Sequence, residues 1–210
     1  MFITSHLRQQ VTNQFHHPRG VYGRVAGRIM ARRQSNVARN QWIAEILDPP
    51  PGARILEIGH GPGLAIESLA SRLDDGHIIG LEISSLMSRA ASRRNRAHER
   101  DSRVEFRVGD SANPPSDLTG FDLIYGVNAT MFWSDPEAAI TTLISRLKPG
   151  GELVFTYMPP PTATESADDV AAGTRDLFAA AGLVDLSHDT MHGQPTAIAT
   201  RGRRPRDDQR

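Results

Sequence analysis

The 210-residue sequence predicts a doubly wound α/β domain, and three observations predict it. Apolar runs of strand length alternate with helical stretches from residue 53 to residue 157, the pattern of a parallel sheet covered on both faces. A glycine-rich turn, Gly59 to Gly63, joins the first strand to the helix that follows it. The chain then closes with two strands separated only by residues 189–194, too few for a parallel crossover, so this last pair is antiparallel.

Each element has a local reason. Residues 1–27 read as an arm, because Pro18, Gly20, Gly23 and Gly27 interrupt any regular structure. Residues 28–47 read as a helix with an apolar stripe of Ile29, Met30, Val37, Trp42, Ile43, Ile46 and Leu47. Asp48-Pro49-Pro50-Pro51-Gly52 ends it, since proline cannot continue the hydrogen-bond ladder. Strands follow at 53–58, 77–82, 103–108, 121–126 and 151–157, with helices at 64–73, 84–99 and 136–147. Right-handed crossovers make the sheet doubly wound. Residues 158–167 are a loop, 168–181 a helix, and 183–188 and 195–200 the closing strands. Residues 201–210, rich in arginine, read as a disordered tail. The organisation is an N-terminal arm and helix over 1–52, a core over 53–200 and the tail.

Composition narrows the chemistry. Hydrophobic residues at 39% and charged residues at 23% suit one globular domain. There is no cysteine, so disulfides, thiol catalysis and thiolate metal sites are excluded. Lys148 is the single lysine. The formal charge is zero, which argues against whole-protein attraction to nucleic acid or an anionic membrane. The distribution is uneven, however. Residues 1–54 carry eight arginines against Glu45 and Asp48, whereas residues 108–190 carry twelve acids against Arg146, Lys148 and Arg175. No stretch approaches the ~18 apolar residues of a membrane span, and residues 1–18 lack the apolar segment of a secretory signal. The expected location is the cytoplasm.

The motifs lie at strand ends. Glu57-Ile58-Gly59-His60-Gly61-Pro62-Gly63 runs a buried strand into a glycine turn that opens a helix. Glycines there allow positive φ and close backbone approach, and the helix start offers N–H groups to an anionic ligand. The spacing is G-x-G-x-G and departs from the dinucleotide fingerprint G-x-G-x-x-G, because residue 64 is leucine. Glu82 ends the second strand about twenty residues on, where an acid suits a ribose diol. Asp110 and Ser111 follow the third strand; Asp110 could accept from an adenine amine or cap a helix. Phe121 to Asn128 forms the fourth strand, and Leu147-Lys148-Pro149-Gly150-Gly151 leads into the fifth.

In this order and register, residues 53–155 resemble the class I S-adenosylmethionine-dependent methyltransferases, and the region before the first motif is similar to small bacterial members, of the UbiE and methyltransferase-11 type. The resemblance implies a Rossmann-like seven-stranded sheet, order 3-2-1-4-5-7-6, with the last strand antiparallel, helices on both faces and an N-terminal helical arm. It implies S-adenosylmethionine as cofactor, S-adenosylhomocysteine as product, and cofactor contacts from Glu57, Gly59, His60, Gly61, Gly63, Glu82, Ile83, Asp110, Ser111 and Asn128. Phe132, Trp133, Tyr157 and Met158 are candidates for the acceptor pocket. Asn128 and His60 are the candidate catalytic residues.

Methyl transfer from a sulfonium is an in-line displacement, so alignment and desolvation can supply much of the acceleration. A base is needed only where the acceptor must lose a proton. The expected acceptor is a small molecule, since neither a recognition domain nor an Asn/Asp-Pro-Pro-aromatic motif follows the fourth strand. No histidine and carboxylate set has metal-ligand spacing, so no metal is expected. A homodimer is compatible with the sequence. Two alternatives are a catalytically silent cofactor-binding scaffold and an NAD(P)-dependent oxidoreductase. The glycine spacing and the absence of a Tyr-x-x-x-Lys pair oppose the second. The arm and helix over 1–52 are the candidate lid.

Overall fold

A computed structural model of the chain describes residues 34–129, 133–160, 163–193 and 195–209. Its elements, in chain order, are α1 (Gln34–Ile46), β1 (Arg54–Ile58), α2 (Leu64–Ala70), β2 (His77–Glu82), α3 (Ser85–Arg94), α4 (Arg96–Arg100), β3 (Val104–Val108), β4 (Phe121–Val127), α5 (Pro136–Arg146), β5 (Leu147–Tyr157), α6 (Ala167–Ala180), β6 (Val184–Met191) and β7 (Ala197–Arg203), followed by a short 3₁₀ turn at Asp207–Gln209. The strands form one sheet in the order β3-β2-β1-β4-β5-β7-β6. All pairings are parallel except β5 with β7 and β6 with β7.

Two cores flank this sheet. On the first face Ile43 and Ala44 of α1, Leu47 just after it, and Ala65, Ile66 and Leu69 of α2 pack on Ile55, Ile78, Leu123, Tyr125 and Val154. On the second face Ile140 and Leu143 of α5 and Phe178 of α6 pack on Leu56, Ile58, Ile124, Leu153 and Phe155. Alternate residues of one strand serve opposite faces, so β1 contributes Ile55 to one core and Leu56 to the other. Caps set several helix starts. Ser84 accepts from Met87 N–H, Asp135 accepts from Ala138 N–H ahead of Pro136, and Ser166 and Asp169 form a reciprocal capping box.

The elements depart from the sequence expectations in four places. The helix expected over 84–99 is broken at Asn95, whose buried side chain donates to Gly63 O at 3.1 Å and Ala91 O at 3.0 Å. β5 begins at Leu147, because Leu147 already pairs with Phe121 of β4 and the Pro-Gly turn is an irregularity inside the strand, before Glu152 pairs with Leu123. β6 reaches Met191, so the hairpin turn falls later than residues 189–194. The tail is not disordered from residue 201. β7 runs through Arg203, and Arg204 exchanges backbone bonds with Gly150 and Gly151 at 2.9 Å. Arginines in this strand are held by partners, as Arg201 bonds Glu152, Asp189 and the carbonyl of Ile46. Of the apolar residues of α1, Ile43 and Ala44 are buried in the first core, and Trp42 and Ile46 pack partly buried against it. The arm over 1–27, and the expected helical residues 28–33, lie outside the described residues.

Candidate functional site

The motifs converge at the carboxyl ends of β1, β2 and β3. Gly59 leaves β1 at φ 61°, and its N–H donates to Leu81 O at 2.8 Å, tying the loop to β2. The loop glycines have separate duties. A side chain on Gly59 would meet Ala129 Cβ at 2.9 Å, and one on Gly63 would meet Ala91 Cβ and Asn95 Nδ2 at 2.8 Å. Those two positions are closed by the protein itself. Gly61, at φ 53°, faces open space with no atom within 4 Å of a built Cβ. A ligand can therefore approach the backbone closely at Gly61, at the start of α2 where helix N–H groups favour negative charge.

Glu82 is held opposite that opening. Its Oε2 accepts from Gly61 N–H at 3.0 Å and its Oε1 from Ser84 N–H at 2.8 Å. A carboxylate oxygen can accept more than one hydrogen bond. The direction of both oxygens is thus set, as a vicinal diol requires. Ile83, next along, is 50% exposed, and Val108, which pairs with Glu82 across β2 and β3, is 56% exposed. Two large apolar side chains exposed at adjacent strand ends form a wall suited to a flat ring. Asp110 is exposed beside them, and its Oδ1 accepts from Ala112 N–H at 2.9 Å. No helix begins there, so Asp110 makes an Asx turn and does not act as a helix cap. Ser111 Oγ accepts from Trp133 Nε1 at 3.1 Å.

Below the loop lie two buried titratable groups. Glu57 sits on the first face and receives the Tyr125 hydroxyl at 2.8 Å and the Ile66 N–H of α2. Burial, together with the charge of Glu82, pushes its carboxyl up to about 8, so Glu57 is mostly protonated at neutral pH. The same burial raises Tyr125 well above the ordinary phenol value. Glu57 therefore ties β1, β4 and α2 together under the loop. His60 turns inward, with Nδ1 2.8 Å from Gly61 O and its ring 4.9 Å from Phe106. A carbonyl only accepts, so Nδ1 is the protonated nitrogen. Burial lowers His60 to about 4. The imidazole is neutral packing beneath the loop, and its burial removes it as a base that meets a substrate.

The ends of β4 and β5 are built differently. Asn128 adopts φ 54°, and its amide makes a reciprocal pair with the Met158 backbone, Nδ2 to O at 3.1 Å and N to Oδ1 at 2.9 Å. This amide clamps two strand ends. Trp133 packs edge-on to Phe155 at 5.5 Å and joins the second core. Met158 is buried, and Tyr157 is half-buried with a hydroxyl raised by burial and by Glu165. Phe132 lies outside the described residues. Sequence reasoning missed Tyr125 as the partner of Glu57, Ser84 as a support of Glu82, and Asn95 as a support of the loop. Only the Ser84 cap had a local signal, a serine ahead of a helical run. Among the described residues no group of three His, Asp or Glu side chains could hold a metal, and no helix is long and apolar enough to cross a membrane.

Known proteins are similar to this chain in sequence and fold. Residues 55–151 match a methyltransferase domain family. The chain is 32% identical over 165 residues to the uncharacterized methyltransferase YdaC of Bacillus subtilis (strain 168), covering 77% of this chain and 87% of that one. It is 30% identical over 128 residues to nocamycin O-methyltransferase of Saccharothrix syringae, covering 60% of this chain and 45% of that one. The fold is similar to phosphoethanolamine N-methyltransferase 2 of Haemonchus contortus, solved with S-adenosyl-L-methionine, at a TM-score of 0.63 and 18% identity, over 80% of this chain and 53% of that one. It is also similar to the [4+2]-cyclase SpnF at a TM-score of 0.66 and 20% identity, over 82% and 83%.

Proposed function

The chain belongs to the class I S-adenosylmethionine-dependent methyltransferases, and on that premise we propose that it methylates a small-molecule acceptor by in-line displacement. The observation that carries this reading is the paired geometry of Gly61 and Glu82. An open glycine at a helix start faces a carboxylate whose two oxygens are oriented by backbone N–H groups.

When bound, S-adenosylmethionine supplies a methyl group on a sulfonium, already a good leaving group. The chain's residues then bind and orient. Glu82 takes the ribose hydroxyls, Ile83 and Val108 flank the base, Asp110 meets the amine of that base, and the loop at Gly61 supports the amino-acid end. Close packing at Gly59 and Gly63 fixes the loop, so the reacting carbon is held rather than searched for. Among the described residues at the β4 and β5 ends there is no side chain poised as a base. Asn128 is occupied by Met158, His60 is buried, and Tyr157 is protonated at neutral pH. We therefore favour an acceptor atom that is nucleophilic without prior deprotonation by these residues.

Calorimetry tests the reading. S-adenosylhomocysteine should bind and NADH should not; tight NADH binding with none of S-adenosylhomocysteine would reject it. A labelled-methyl screen of metabolite extracts tests the acceptor class, and labelling confined to macromolecules would reject a small molecule.

A further inference from the structure

Arg39 in α1 carries a cation that the described residues leave without a counter-charge. The residue is only 9% exposed, and its Nε has no hydrogen-bond partner among the described residues. None of the ion pairs among those residues includes it. Burial alone lowers the guanidinium to about 10, and no nearby carboxylate acts on it. A buried charge without a counter-charge is costly, and such groups are found paired. The chain offers no obvious partner. Residues 1–33 contain no aspartate or glutamate, and Glu45 and Asp48 are exposed. Glu57, on the same face of the sheet, is held in its neutral form by burial.

The position of Arg39 says which anion fits. Ile43, one helical turn later, is buried in the first core with Tyr125 and Val154. α1 runs on to Ile46, and the chain then descends to the amino end of β1 at Arg54. Arg39 therefore lies one turn above Ile43, toward the carboxyl ends of β4 and β5. Thr156, two residues beyond Val154 in β5 and so on the same face, carries a second buried polar group without a partner. The strand order decides the rest. With the base at β3 and the ribose at Glu82 of β2, the strand order would carry the amino-acid end of the cofactor past β1 toward β4, on the face that α1 covers. On the reading given under Proposed function, we infer that Arg39 is the cation that pairs with the cofactor's α-carboxylate. Arg39 thereby selects ligands that retain the amino-acid moiety.

The test compares two ligands that share the nucleoside and differ in that moiety. Calorimetry with S-adenosylhomocysteine and with 5′-methylthioadenosine is run on wild type, Arg39→Met and Arg39→Lys. Arg39→Met should weaken S-adenosylhomocysteine by about ten- to a hundredfold, the range for a hydrogen bond to a charged group. Binding of 5′-methylthioadenosine should stay within about twofold of wild type. Arg39→Lys, which keeps the charge, should retain part of the preference. Thermal unfolding without ligand should be unchanged or raised in Arg39→Met, because a buried unpaired charge has been removed. Should Arg39→Met not fold, Arg39→Gln makes the same comparison. Unchanged affinity for S-adenosylhomocysteine, or equal weakening of both ligands, overturns the inference alone. A wild-type chain that binds neither ligand overturns the proposed function, and this inference with it.

Discussion

The two halves of the sheet's carboxyl edge are made by different means. At β1 and β2 the geometry comes from backbone: Gly59 to Leu81, Gly61 to Glu82 and Ser84 to Glu82 are N–H bonds, and Gly59 and Gly63 are locked by packing. At β4 and β5 it comes from side chains used for bracing, with Asn128 tied to Met158 and Trp133 tied to Ser111. A backbone-built site can serve one unvarying ligand at many sequences around it. A braced rim leaves the acceptor to be chosen by surfaces around the brace. On the proposed function, cofactor recognition would fall to the first half and acceptor choice to the second.

The largest effect that could break this contrast is at the loop. Gly63→Val adds strain at φ 76° and a clash at 2.8 Å with Ala91 and Asn95, and should cost about 3–5 kcal/mol of stability by urea denaturation. Gly61→Ala meets open space, so strain alone should cost roughly 1 kcal/mol, while S-adenosylhomocysteine binding falls. Equal stability losses at the two glycines would erase the distinction between a structural and a ligand-facing glycine.

Glu82→Gln comes next. Loss of the charged acceptor should weaken S-adenosylhomocysteine by about 1–3 kcal/mol with a smaller change in stability. An unaltered Kd would take Glu82 out of the site.

The buried pair below the loop sets a pH signature. Glu57 is raised from 4.5 to about 8 in the fold, so between those values the folded state holds a proton that the unfolded state has lost, and stability falls as pH rises. His60 is lowered from 6.5 to about 4, so between those values the unfolded state holds the extra proton, and stability rises with pH. The two oppose each other from about pH 4.5 to 6.5. From about 6.5 to 8 Glu57 acts alone, and the folding constant should drop by up to about tenfold per pH unit. Glu57→Gln should abolish that alkaline decline in a denaturation series; a decline that persists would assign it elsewhere.

On the second half the effects are smaller. Asn128→Ala removes the clamp and should cost about 1–2 kcal/mol of stability without changing affinity for S-adenosylhomocysteine. A selective loss of cofactor affinity in that variant would move Asn128 into the first half. Trp133→Phe loses one hydrogen bond to Ser111 and should cost about 0.5–1.5 kcal/mol, the least of the series.

The same division explains what could be read from sequence. β2 at His77–Glu82 matches its expected limits, because an unbroken apolar run ending in an acid is a local signal. The glycine loop was legible because positive φ restricts residue choice to glycine at three nearby positions. Other features depend on partners far along the chain. Asn128 read as a possible substrate contact because its partner, Met158, is thirty residues away. The break at Asn95 was hidden because the group it serves is Gly63 O, across the fold. Tyr125 read as core, which its burial matches, but the hydroxyl bonded to Glu57 had no sequence signature. Arginine-rich residues 201–203 read as disordered because burial of their charges requires Glu152 and Asp189, which only the folded sheet brings near.

The order of the sheet has a consequence for synthesis. β7 follows every other strand in the chain, yet it is threaded between β5 and β6. Until residues 197–203 have left the ribosome, β5 carries an open backbone edge on its outer side, and β6 has no place to dock. A nascent chain stopped after α6 therefore presents an unpaired, apolar strand that can recruit another chain's edge. Strands β1 to β4 have all emerged by then, so the exposed edge belongs to the second half of the sheet alone.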